Sequence, residues 1–157
     1  MKQSHSYYPL NSFRICVDSI ENCMMGRAFS PLKKEEISFS ELGELVIKMD
    51  ELFDFMGYPQ AFQDKRSFVT KKNQWNLYKG IPKSVLEQNA IFDKKGILIT
   101  LDILVITRKN SSWQGEIYDE EGNFIHQFTG EVDLLNEISN RIQGITVESQ
   151  YKANRFK

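Results

Sequence analysis

Apolar and polar residues alternate along the first part of the chain. Phe13, Ile15 and Val17 interleave with Arg14, Cys16 and Asp18, the period-two pattern of a strand with one buried face. Residues 97–107, ILITLDILVIT, are more continuously apolar, which predicts a central strand covered on both sides. Gly26 and Gly115 each open a second strand, over 27–29 and 116–118. Asp119-Glu120-Glu121-Gly122-Asn123 reads as a hairpin turn, with Gly122 or Asn123 free to take a positive φ. Residues 124–128 return as a third strand. In the first half that part falls to residues 37–39, after Pro31 and the charged run 33–36.

The period then changes. Leu42, Leu45, Val46, Met49, Leu52, Phe53 and Met56 recur at helical spacing and form one apolar stripe. Ser40 stands at the expected N-cap, and Gly57-Tyr58-Pro59 supplies the stop. In the second half Thr129 takes the N-cap position, Leu134, Leu135, Ile138 and Ile142 form the stripe, and Gly144 is expected to end it. Between the halves, Pro82 is placed to open a short helix reaching Asn89.

Laying residues 26–53 on residues 115–142 without gaps brings these features together. Gly26 falls on Gly115, Phe29 on Tyr118, Phe39 on Phe128, Ser40 on Thr129, Leu45 on Leu134 and Met49 on Ile138. The expected fold is therefore α+β: two tandem β-β-β-α repeats, antiparallel sheets each covered by one helix, with an aromatic and basic insert between them. The boundaries are 10–57 for the first repeat, 58–96 for the insert, 97–145 for the second repeat and 146–157 for a basic tail. The two sheets could join in one layer or stay as two lobes. A shared core is favoured, because a unit of about 45 residues is marginal alone.

Composition narrows the function classes. The chain has 157 residues, 41% hydrophobic, with 20 Lys+Arg against 21 Asp+Glu. It is neither the strongly basic chain of a general polyanion binder nor the strongly acidic one of a nucleic-acid mimic. Any nucleic-acid contact must be local. Cys16 and Cys23, without a second pair or a nearby His, do not make a zinc site and read as reduced thiols. No apolar stretch approaches the roughly 18 residues of a bilayer span and no leader pattern is visible. The expectation is a cytoplasmic protein with no membrane partner, no metal and no cofactor.

The candidates for chemistry are few. His126 needs a positioned partner to act as acid or base, and a surface strand histidine is the favoured reading. Asp50, Glu51 and Asp54 cluster near the end of the first helix and could bind Mg²⁺. They fall on its polar side, however, where solvated charge is the default. Lys65, Arg66, Lys71, Lys72 and Trp75 interleave cations with aromatics in the insert, a pattern that neutralises phosphates and stacks bases, or that anchors the insert to the core. Trp113 reads as a core plug or an exposed anchor, and Gln114 beside it offers an amide to a polar partner. The balance leans against an enzyme.

The string Asn110-Ser111-Ser112-Trp113-Gln114-Gly115-Glu116-Ile117, followed by Phe128 and Leu134-Leu135, resembles the C-terminal half of small two-repeat proteins of Firmicute mobile genetic elements. Phe13 to Val17, Gly26-Arg27-Ala28-Phe29, Phe39-Ser40 with Glu44-Leu45, Lys48-Met49-Asp50, Pro59-Gln60 and Arg66-Ser67-Phe68 resemble the first half and insert of the same proteins. Some similar small proteins are anti-CRISPR inhibitors. The resemblance implies a non-enzymatic binding protein that interferes with an RNA-guided CRISPR nuclease or its guide-RNA loading. The alternatives are a ribonuclease that cuts guide RNA, or an accessory protein of the mobile element with no nuclease target. Oligomeric state is open, since an exposed edge strand could pair with a second copy.

Overall fold

A computed structural model describes residues 8–59, 80–108 and 112–155. The elements in chain order are β1 (Ser12–Ser19), β2 (Met25–Ser30), β3 (Lys33–Phe39), α1 (Leu42–Met56), α2 (Gln88–Phe92), β4 (Ile99–Thr107), β5 (Gln114–Asp119), β6 (Phe124–Phe128) and α3 (Glu131–Arg155). All six strands lie in one sheet, in the order β3-β2-β1-β4-β5-β6.

This corrects the expectation of two tandem β-β-β-α repeats, each an antiparallel sheet under its own helix. β1 and β4 pair antiparallel from Ser12↔Leu104 to Val17↔Ile99, so the two strands that would have been edges become the centre of a single sheet. Their inward side chains explain why. Phe13, Ile15 and Val17 of β1 and Leu101, Ile103 and Val105 of β4 fill the same core, together with Leu45, Met49 and Phe53 of α1 and Leu134, Ile138 and Ile142 of α3. α1 does not keep to its own half. Phe53 of α1 packs on Trp113, which precedes β5, with ring centroids 5.6 Å apart, and Trp113 also meets Phe13 at 6.1 Å.

Gly26 and Gly115 are required by packing. A Cβ on Gly26 would sit 2.3 Å from the Cys16 carbonyl oxygen and 2.7 Å from Phe39 Cζ. On Gly115 it would sit 1.9 Å from the Leu104 carbonyl oxygen and 2.7 Å from Phe128 Cζ. In each case the ring of the neighbouring strand's phenylalanine lies where a side chain would be.

Local chemistry differs from the expectation at several ends. β3 begins at Lys33, so the charged run belongs to an outer strand whose first four residues are exposed. The N-cap of α1 is Glu41, without a side-chain cap. Glu44 reaches back instead to accept from the Ser40 N–H at 2.8 Å and its hydroxyl at 3.0 Å. Asp133 likewise accepts from the Thr129 N–H at 3.1 Å. The carboxylates thus accept from the backbone N–H of Ser40 and Thr129, the return bond of a capping box, in place of the hydroxyl caps that were expected. Gly57 closes α1 at φ 63° and Gly122 turns the β5–β6 hairpin at φ 84°. α3 does not stop at Gly144 but runs through it to Arg155, and the short helix lies at Gln88–Phe92, overlapping the expected 82–89 only at its last two residues. No described helix is long and apolar enough to cross a membrane.

Candidate functional site

The two long helices, α1 and α3, occupy one face of the sheet. Strand pairing lays a continuous row across the other: Phe29 opposite Arg14, Arg14 opposite Asp102, Asp102 opposite Tyr118, and Tyr118 opposite Phe124. Residues opposed in this way share a face, so the row compares one half of the face with the other.

Over β1 and β2 the face is covered. Tyr8, Ile91 and Phe92 close on Cys16 and Phe29 to form a second, smaller apolar cluster. Beneath them Arg14 donates from Nε to Asp102 Oδ1 at 2.9 Å and from Nη2 to Oδ2 at 2.7 Å. Its Nη1 donates to the Phe92 carbonyl at 2.7 Å, and its guanidinium lies 5.4 Å from the Phe92 ring centre. The Tyr8 hydroxyl donates to Asp102 Oδ1 at 2.9 Å. Burial, and then the Asp102 charge, push the Tyr8 phenol well above its ordinary range. Burial works to lower the Arg14 pKa, but the Asp102 hydrogen bonds and charge outweigh it and raise it. Burial also pushes the Cys16 thiol up to about 11. These groups are locked to one another, which suits a bidentate buried pair and leaves no donor aimed at a ligand.

Over β4, β5 and β6 the same face is bare among the described residues. Leu104 and Tyr118 are half-buried, Ile106 is 47% exposed and Phe124 58% exposed. Tyr118 and Phe124 meet edge to face at 6.0 Å, and the Tyr118 hydroxyl donates to Glu116. Burial, then Glu116, raise that phenol to about 12. Gln127 completes the Leu104–Glu116 row. Residues 97–107 and 112–129 contain Asp102, Glu116, Asp119, Glu120 and Glu121 but neither Lys nor Arg; Asp102 is paired with Arg14 of the covered half, and Glu120 has Lys95 at 3.7 Å. The strand expected to be covered on both sides is covered twice only at its Thr100–Asp102 end.

The other sequence candidates fall on the helix side. Asp50 and Asp54 are partly exposed but paired: Arg108 Nη2 donates to Asp50 Oδ1 at 2.7 Å and to Asp54 Oδ1. Its Nη1 donates to the Pro59 carbonyl at 3.0 Å, and the buried Trp113 donates from Nε1 to Asp50 at 3.1 Å. This network clamps α1 to the end of β4. Glu51 faces away from it, into a groove of ≈ 700 Å³ between β3 and α1. Asp50, Glu51 and Asp54 therefore do not converge, and no cluster of His, Cys, Asp or Glu among the described residues is arranged to hold a metal ion. His126 Nε2 lies 3.0 Å from Asp133 Oδ1. The His126 hydrogen bond, then the Thr129 N–H, hold the Asp133 carboxyl below its ordinary range. The histidine thus ties β6 to the first turn of α3. Trp113 is 1% exposed and serves as a core plug. Gln114 accepts from the Thr107 hydroxyl. Lys65, Arg66, Lys71, Lys72 and Trp75 lie outside the described residues.

Sequence reasoning missed Leu104, Ile106, Glu116, Tyr118 and Phe124 as a group. The available signal was the nearly continuous apolar run of residues 97–107 beside a short acidic hairpin, because a strand apolar on both sides needs two covers. No protein-family model matches the chain, and no curated protein or solved structure matches it either.

Proposed function

We propose that the protein is a binding module that meets another protein through the bare half of its sheet face, over β4, β5 and β6. The observation that carries this reading is an apolar surface with Ile106 and Phe124 about half exposed, in segments, residues 97–107 and 112–129, that carry carboxylates but no Lys or Arg of their own. Exposed aromatic and aliphatic side chains grouped in this way are the usual marks of a protein interface. Glu116 and the exposed Glu121 add negative charge beside this surface, so a phosphate backbone fits it poorly.

The resemblance to proteins of mobile elements names a partner for this module: an RNA-guided CRISPR nuclease, whose action or guide loading it would block. Contact with guide RNA would belong to Lys65, Arg66, Lys71, Lys72 and Trp75, not to the sheet. The test is target-DNA cleavage by such a nuclease, with the full-length protein added before or after guide loading and the guide then run on a denaturing gel. Inhibition with intact guide is expected, with at least about tenfold more protein needed after Ile106→Lys or Phe124→Lys. Both positions are exposed, and circular dichroism checks that the variants fold. Shortened guide would make the protein a ribonuclease, and inhibition unchanged in both variants would move the interface elsewhere. No inhibition in either order removes the nuclease as partner.

A further inference from the structure

α3 outlasts the core it covers. Its buried stripe, Leu134, Ile138 and Ile142, ends well before the helix does, and every residue from Val147 to Arg155 is exposed. Helices hold mainly by packing an apolar face, yet Gly144, Thr146 and Val147, all weak helix formers, fall where that packing runs out. On the side of α3 turned away from the sheet, Asn140, Gly144, Val147 and Tyr151 follow one another at intervals of four, three and four, the spacing of a coiled-coil seam. All four are exposed, Val147 by 62% and Tyr151 by 76%. A Cβ on Gly144 would meet nothing within 4 Å, so no described neighbour in this chain calls for a glycine there.

We propose that α3 pairs antiparallel with α3 of a second copy, Gly144 of each chain opposite Val147 of the other. The missing side chain gives Val147 room to approach. The same two-fold register sets Tyr151 opposite Asn140, and it brings Arg141 of each chain beside Glu148 of the other at the flank of the seam. Within one chain Arg141 donates from Nε to Glu137 at 3.3 Å. No described group accepts from its two Nη nitrogens, so a second carboxylate need not displace the first. The stripe is thus its own complement in shape and charge, whereas a different protein would have to bring both charges at the matching spacing. Parallel pairing is the poorer arrangement: it sets Gly144 against Gly144 and Glu148 beside Gln143, without an ion pair. The seam is short, so the dimer is weak and concentration-dependent. The bare half of the sheet face lies on the other side of the sheet from α3 and stays free for its own partner.

The test is sedimentation equilibrium of the full chain between about 5 µM and about 500 µM. The wild type should pass from monomer towards dimer across that range. Tyr151→Glu and Arg141→Glu should each weaken association at least about tenfold, the second by bringing like charges together. Arg141→Glu combined with Glu148→Arg restores the pair with its charges exchanged, and should recover association to within about threefold of the wild type. Lys152→Ala, off the seam, should change nothing. All these positions are exposed, and circular dichroism checks that each variant keeps its fold. Orientation is read by cross-linking in a Cys23→Ser background. Chains carrying Gly144→Cys mixed with chains carrying Val147→Cys should join through a disulfide, and Val147→Cys alone should not. A monomer at every concentration, a dimer indifferent to Tyr151→Glu and to charge reversal, or cross-linking of Val147→Cys to itself would each overturn the inference.

Discussion

Arg14 and Tyr118 stand in one row on one face of one sheet, separated only by Asp102, yet they live in different surroundings. Arg14 is 1% exposed beneath Tyr8 and Phe92, and its charge is neutralised by a bidentate carboxylate. Tyr118 is half-buried with a single described hydrogen bond, to Glu116. The backbone and the row are the same, so the cover makes the difference. Where residues 8 and 86–92 close over the sheet, polar groups become part of the structure. Where nothing described closes over it, similar positions remain available to a partner.

The largest expected effect tests that contrast directly. Asp102→Asn leaves the Arg14 guanidinium buried without its counter-charge and deprives the Tyr8 hydroxyl of a carboxylate acceptor. Denaturant unfolding should show a loss of about 3–5 kcal/mol. Glu116→Gln, across the sheet on the bare half, should change stability by no more than about 0.5 kcal/mol. Similar losses for the two would mean that the bare half is as structurally committed as the covered one.

Much of the local structure was legible in the sequence. The alternation of Phe13, Ile15 and Val17 marked the core side of β1, and the αL glycines 57 and 122 marked the end of α1 and the β5–β6 turn. The failures share a cause. Arg14 reads as a solvent-side residue of a half-buried strand, because its partner Asp102 lies 88 residues away and its cover comes from a third segment. Asp50 and Asp54 read as the polar side of an amphipathic helix, because only the fold brings Arg108 against them. The joining of β1 to β4 into one sheet depends on the same long-range pairing, which local periodicity does not encode. Gly144 reads as a stop, but an exposed glycine within a helix costs only about 1 kcal/mol, and α3 continues past it.

A second way to sharpen the contrast is to loosen the cover without touching a charge. Ile91 is completely buried between α2 and the sheet, and Ile91→Ala should cost about 2–4 kcal/mol through lost burial and the cavity left behind. Cys16 lies beneath it in the same cluster, with its thiol pushed up to about 11, so at neutral pH it is protonated as well as enclosed. In the wild type a thiol reagent should modify the half-exposed Cys23 first and reach Cys16 only when the cover opens. In Ile91→Ala the Cys16 rate should rise by at least about tenfold while the Cys23 rate holds. Rapid labelling of Cys16 in the wild type would show that the cover over β1 and β2 is open in solution.

The smallest effect belongs to the bare half and concerns alkaline pH. The Tyr118 phenol is raised from 10.0 to about 12 by partial burial and by the neighbouring Glu116 carboxylate. A folded-state pKa above the unfolded value means that the folded chain holds the proton more tightly. The resulting stability is fully present below pH 10 and disappears as pH climbs to about 12. Tyr118 is partly open to solvent, so the effect is reduced by screening. Tyr8 is also raised and contributes to the same alkaline limb, which makes the wild type alone uninformative. The difference between wild type and Tyr118→Phe isolates Tyr118: it should be constant up to about pH 10 and shift against the wild type above that value, as the wild type loses what the phenylalanine variant never had. A difference that stays constant through pH 12 would mean that neither the partial burial of Tyr118 nor its bond to Glu116 persists in solution. The bare half-face would then present the Glu116 carboxylate alone instead of one shared with a phenol.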